Sequence, residues 1–264
     1  MIRGALGRLS RTLLGIGHGI WRRVGTWAVV TFVVVLLVLP TLREFAPTRA
    51  GWQLFSVSRG GVVAQHPKFW LEGRAYGRED VYQALLHSAG QLQRMHPGSY
   101  VAYMDVSNRH GGPIAKHLSH RAGRDVDILF FGRSVSGLEP RAMSWHTVGY
   151  ALNYDCTSQR NPVGWAFDGE RGWAFLMALK ANPHVAVERI FVEPCVEAWL
   201  LDAGQKLGAD GDDVSWAEKT LRYAGSRAGD HLDHFHIRFS EVTVAQSESM
   251  KTLTPSQPIL VSFD

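Results

Sequence analysis

Asp230-His231-Leu232-Asp233-His234-Phe235-His236-Ile237-Arg238-Phe239 packs three of the chain's twelve histidines into six consecutive positions. From His236 onward the run is apolar and strand-like. Side chains on a strand alternate between faces, so His234 and His236 share one. Two imidazoles on one face, separated by the bulky Phe235, form half of a metal site. The other half comes from His120-Arg121-Ala122-Gly123-Arg124-Asp125-Val126-Asp127-Ile128-Leu129-Phe130. There a histidine leads through a glycine turn into a second strand-like run with aspartates at its entrance.

A catalytic zinc typically takes three protein ligands of N and O type and keeps one position for water. His120, Asp127 and His236 are the expected ligands, with His234 beside the remaining position. Asp127 stands just before Ile128-Leu129-Phe130-Phe131, which draws its carboxylate to the edge of an apolar core. A buried carboxylate without a partner is costly, and a cation removes that cost. Asp125 lies two residues away on the same face, and spacing alone does not separate the two. His117, three before His120, either assists or merely decorates the loop. Asp230 and Asp233 flank the histidines as carboxylates that could take the second ring N–H of an imidazole.

The ligand types suggest hydrolysis. Zinc lowers the pKa of its bound water to about 7 and polarises a carbonyl. His234 suits a general base or oxyanion stabiliser, and His231 could bond the same intermediate. No His-Glu-x-x-His motif is present, so a helix-borne glutamate base is not supported.

Around these motifs the expected organisation is a basic cytoplasmic stretch 1–23, a transmembrane signal-anchor 24–42, a linker and lead-in 43–74, a zinc peptidase domain 75–240, and a tail 241–264. Val24 to Leu42 carries no formal charge and approaches the roughly 20 residues that span a bilayer. Arg3, Arg8, Arg11, Arg22 and Arg23 precede it, which places the N-terminus inside and the rest of the chain outside. A cleaved signal peptide has a shorter apolar core, and no small-x-small cleavage site follows Leu39. Cys156 and Cys195, an even pair without metal-motif spacing, read as one disulfide in an exported chain. The net charge of +4 is partly carried by those first arginines. No repeated aromatic-basic motif points to nucleic acid, and none is expected as a partner.

Helices are expected at Glu79 to Met95, Ser144 to Asn153, Asp168 to Leu179, Val196 to Leu207 and Val214 to Tyr223. Strands are expected at Val101 to Val106, Asp125 to Phe131, Arg189 to Val192 and the terminal histidine run. This irregular interleaving predicts an α+β domain: a small, largely antiparallel sheet flanked by helices, preceded by an N-terminal transmembrane or signal helix.

His120-x-x-Gly123-x-x-x-Asp127, paired downstream with His231-x-x-His234-x-His236, resembles the penicillin-insensitive murein endopeptidases. These belong to the wider group of zinc peptidases that includes lysostaphin-type enzymes and D-Ala-D-Ala carboxypeptidases. The Gly111-Gly112-Pro113 loop and Ser119-His120 are also similar to that family. The resemblance covers roughly residues 95 to 240. It implies zinc on His120, Asp127 and His236, which decides for Asp127 over Asp125, and catalytic roles for His234 and His231. It further implies hydrolysis of D-alanyl peptide cross-links in peptidoglycan, in the periplasm, either anchored to the inner membrane or soluble after signal cleavage. The best-known members have a cleavable signal and more cysteines than the two found here. The rival expectations are a non-catalytic wall-binding or scaffolding homologue and a zinc D,D-carboxypeptidase acting on stem peptides.

Overall fold

The structure, a computed structural model, describes residues 26–32, 34, 48–114, 117, 119–134, 152–223, 225 and 231–241. The chain divides into two units, Met1–Pro47 and Thr48–Asp264. In the first, residues 26–32 and 34 are helical and exposed. Among the described residues no helix is long and apolar enough to cross a membrane. Most of the expected anchor lies outside them, as do most of the helix expected at 144–153, Asp230, and the tail from 242 onward.

The second unit runs β1 (Trp52–Leu54), β2 (Ser58–Arg59), β3 (Val62–Ala64), α1 (Pro67–Leu71), β4 (Tyr76–Arg78), α2 (Glu79–Met95), β5 (Val101–Tyr103) and β6 (Asp125–Leu129). It continues through β7 (Gly132–Arg133), β8 (Ala166–Phe167), α3 (Gly169–Lys180), β9 (Val187–Phe191), α4 (Pro194–Lys206), α5 (Gly211–Thr220), β10 (Leu221–Arg222) and β11 (His234–Phe239). The main sheet has seven strands in the order β10-β9-β11-β6-β5-β3-β2. Its central pairings, β9 with β11, β11 with β6 and β6 with β5, are antiparallel. The pairings of β10 with β9 and of β3 with β5 are parallel. The α+β expectation therefore holds, with a mostly antiparallel sheet.

The stretch expected as linker and lead-in carries three strands, two of which extend this sheet at one edge. None exceeds three residues. Runs that short carry no readable alternation, since the signal needs about 4–8 residues.

Period-two patterning places the site. In β11, Phe235, Ile237 and Phe239 enter the core, and in β6 so do Val126 and Ile128. The intervening residues, His234, His236 and Arg238 with Asp125 and Asp127, therefore line the opposite face. The register sets His236 directly across from Asp127 and Arg238 across from Asp125. A slip of one residue would bury the histidines against the helices.

Helix α2 closes the core with Val81, Leu85, Ala89 and Leu92, which recur on one stripe and are all buried. It packs on α3, and Ser88 Oγ donates across that contact to the Ala178 carbonyl at 3.2 Å. Asp168 caps α3 as expected, its Oδ1 accepting from the Arg171 N–H at 3.1 Å. Cys156 and Cys195 are bonded, with S–S 2.08 Å, tying the segment after β7 to the start of α4.

Phe235 is the aromatic hub of this core, with ring centroids 4.6 Å from Phe130, 6.4 Å from Phe131 and 6.0 Å from Phe175. Phe235→Ala should cost about 3–5 kcal/mol, because rings held from several sides do not collapse into the space left. Equilibrium urea unfolding checks this. A loss under about 1 kcal/mol would show that the strand is not anchored there.

Candidate metal centre

His120, Asp127 and His236 converge although they lie far apart in the chain. Asp127 Oδ1 is 3.1 Å from His120 Nε2 and 2.9 Å from His236 Nδ1. The two ring nitrogens are 3.2 Å from each other. All three residues are buried. Asp127 sits inside β6, where the sheet pairing fixes it, and His236 sits opposite on β11. His120 reaches them from the turn before β6 with φ +56°, a left-handed conformation that few residues other than glycine adopt.

The outer partners decide which ring atoms face inward. His120 Nδ1 donates to the Val106 carbonyl at 2.8 Å, and a carbonyl can only accept. Nε2 of a neutral His120 therefore presents a lone pair. His236 Nε2 donates to Asp125 Oδ1 at 3.2 Å. Asp125 also accepts from Arg238 Nε at 2.7 Å. Burial pushes the Asp125 carboxyl up, but His236 and Arg238 outweigh it and hold it down at about 2. A neutral His236 then turns the lone pair of Nδ1 toward Asp127. Asp125, which the residue spacing left as an alternative ligand, instead stands behind the ring and orients it.

Asp127 Oδ1 is buried and receives no hydrogen bond of proper geometry despite the nitrogens crowding it. Burial opposes its charge, yet His120, His234 and His236 hold the carboxyl well below the ordinary range. Two lone pairs and a carboxylate oxygen within 3.2 Å repel one another unless a cation, or a proton on one of the rings, lies between them. Burial opposes a charge on His120, but Asp127 outweighs it and raises the pKa of that ring. The donor set, two imidazoles and a carboxylate, fits zinc.

His234 and His231 complete the histidine group, with ring centroids 5.1 Å apart. His234 Nδ1 bonds Asp233 Oδ1, and its Nε2 points inward, 3.6 Å from Asp127 Oδ1. Burial lowers the basicity of His234, but Asp233 and Asp127 more than compensate and raise its pKa to about 9. His231 goes the other way: burial, then the charges of His234 and His236, push it down to about 4. Its backbone N–H approaches Glu193 Oε1 at 3.4 Å. His231, His234 and His236 also offer ligand atoms within 4.8 Å of one another, as do His117, His120 and Asp127.

The model of the penicillin-insensitive murein endopeptidase family matches residues 70–255. The chain belongs to that family. A murein endopeptidase hydrolyses peptidoglycan, and the paired motifs around His120 and His236 fall inside the matched span. No curated relative matches the chain.

Beside this group lie residues that the motifs do not announce. Asp105 is fully buried and lies 3.0 Å from His117 Nε2 through Oδ2 and 3.2 Å from Arg74 through Oδ1. Burial raises its pKa, but His117 and Arg74 bring the net shift below the ordinary carboxylate value. Its backbone carbonyl accepts from the Asp127 N–H at 3.0 Å. His117 in turn sets its ring 4.8 Å from that of His120. The only signal in the sequence was an acid ending the apolar run Val101-Ala102-Tyr103-Met104.

Proposed function

We propose that the chain is a zinc-dependent endopeptidase that hydrolyses D-alanyl peptide cross-links in peptidoglycan. The observation that carries this reading is the orphaned Asp127 Oδ1 between two inward-facing imidazole nitrogens. His120, Asp127 and His236 would hold the zinc. When bound, that ion supplies Lewis acidity and lowers the pKa of water to about 7.

The chain's own residues do the rest. Val106 and Asp125 lock the orientation of the His120 and His236 rings before any metal arrives. Asp233 fixes Nδ1 of His234, so Nε2 is the atom that faces the reacting groups; with the pKa raised to about 9 it carries a proton at neutral pH and gives it to the leaving amine. In its protonated form the same Nε2–H donates toward the oxyanion that develops on the scissile carbonyl. His231, kept neutral by burial and by its charged neighbours, offers a second hydrogen bond there. A non-catalytic wall-binding homologue would have no chemical use for the Asp233–His234 pair, so this contact favours an enzyme.

The domain is proposed to act in the periplasm, held at the inner membrane through 24–42, and fractionation of tagged protein tests the tether. The reaction itself is tested on purified muropeptides. Cross-linked dimers should be consumed, monomeric pentapeptides should be spared, and a chelator should reduce dimer turnover to background until zinc is restored. Trimming of pentapeptides would replace the endopeptidase with a carboxypeptidase. Turnover unaffected by chelator would remove the metal from the mechanism.

A further inference from the structure

Trp52 lies upstream of the family-matched span, which begins at residue 70, yet it touches the loop that carries His120. A Cβ built on Gly123 would sit 2.8 Å from Trp52 Cη2 and 2.9 Å from Cζ2, closer than real side chains approach. One on Gly111 would sit 3.3 Å from Cη2 and 2.5 Å from the Arg121 carbonyl oxygen. Both glycines have positive φ, +65° and +78°. The ring therefore rests on bare backbone at the two feet of the loop, a fit that any side chain at either position would spoil.

The loop is closed on itself at the same place. Gly112 N–H donates to the Arg121 carbonyl at 2.9 Å, and Asn108 Nδ2 donates to the Pro113 carbonyl at 2.9 Å. Trp52 is fixed in turn. Its residue pairs with Arg78 across β1 and β4, and the Arg78 N–H donates to the Gly123 carbonyl at 3.0 Å. The Arg49 guanidinium lies 5.4 Å from the Trp52 ring centroid. His120 adopts its left-handed backbone within this clamp, and such conformations persist only where the surroundings over-determine them.

We infer that Trp52 is a positioning residue for the metal loop: its ring, pressed on Gly123 and Gly111, holds His120 Nε2 in register with Asp127 and His236. This rests on the ligand assignment proposed above. β1, which the family-matched span leaves out, would thus contribute to the geometry of the centre.

The test compares Trp52→Ala, Trp52→Leu and Trp52→Phe with the parent in the full chain. Zinc affinity, read by competition with a chromophoric chelator, should fall about tenfold in Trp52→Ala, the lower end of the effect of losing a group that orients a ligand. Turnover of cross-linked dimers should lose kcat more than it gains KM, and Trp52→Phe should recover most of both. In metal-free protein, amides of 108–112 and 119–124 should exchange about tenfold faster, with those of 126–128 and 235–237 unchanged. Trp52→Leu keeps apolar bulk without the flat ring and serves if the alanine variant does not fold. Parental zinc affinity and exchange in these variants would overturn the inference. So would faster exchange spread evenly over the sheet without recovery in Trp52→Phe. If the parent itself retains no zinc, the ligand assignment fails, and exchange in the metal-free protein still judges the clamp.

Discussion

Asp127→Asn should leave a folded protein that has lost more than about a hundredfold in zinc affinity, beyond the roughly 10–100-fold typical of outer partners. Dimer hydrolysis should fall with it to the chelated background. The substitution keeps the size and shape of the side chain and removes only its charge. Asp127 Oδ1 is the atom nearest both inward nitrogens, at 3.1 and 2.9 Å, so no other carboxylate in the group can take over. The fold should survive because the new amide can donate to the ring lone pairs that previously faced a carboxylate. Zinc content after dialysis, with circular dichroism as the control, reads both halves of the expectation. Stoichiometric zinc in Asp127→Asn would transfer the ligand role elsewhere, with Asp125 the nearest candidate.

His234→Gln should do the opposite, keeping zinc while dimer turnover drops by roughly 10²–10⁴-fold, the usual worth of a positioned acid–base group. His234 Nε2 lies 3.6 Å from Asp127 Oδ1, outside the tight triangle made by His120, Asp127 and His236. Its Nδ1 is anchored on Asp233, an arrangement that tunes a proton carrier. Glutamine keeps a hydrogen-bond donor but has no proton to give to the leaving amine. KM should change little if the side chain acts mainly on the transition state. Loss of zinc from this variant would instead make the histidine trio of 231, 234 and 236 the ligand set.

The placement of the candidate residues is partly legible in the sequence. Strand side chains alternate with period two, so His234 and His236 had to share a face, as did Asp125 and Asp127. What spacing could not supply was the register between β6 and β11. That register alone sets Asp127 opposite His236 and sends Asp125 behind the ring. The even cysteine pair was legible because disulfides follow compartment, and Cys156 and Cys195 are indeed joined. Asp105 is not legible in the sequence because an acid at the end of an apolar strand reads as an exposed edge. Its burial depends on Arg74 and His117, which arrive from elsewhere in the fold. β1, β2 and β3 are too brief to carry a pattern, so the role of Trp52 was invisible in a chain read one residue at a time.

The backbone twist at residue 120 sets two demands against each other. Glycine or asparagine would relax there more readily than histidine, yet neither brings an imidazole. Variants chosen only for heat resistance should therefore drift toward those residues and go silent, whereas variants chosen for wall cleavage must keep a locally uncomfortable histidine. At this position robustness and chemistry are rival goods, and an engineer who wants both must reinforce the scaffold somewhere else.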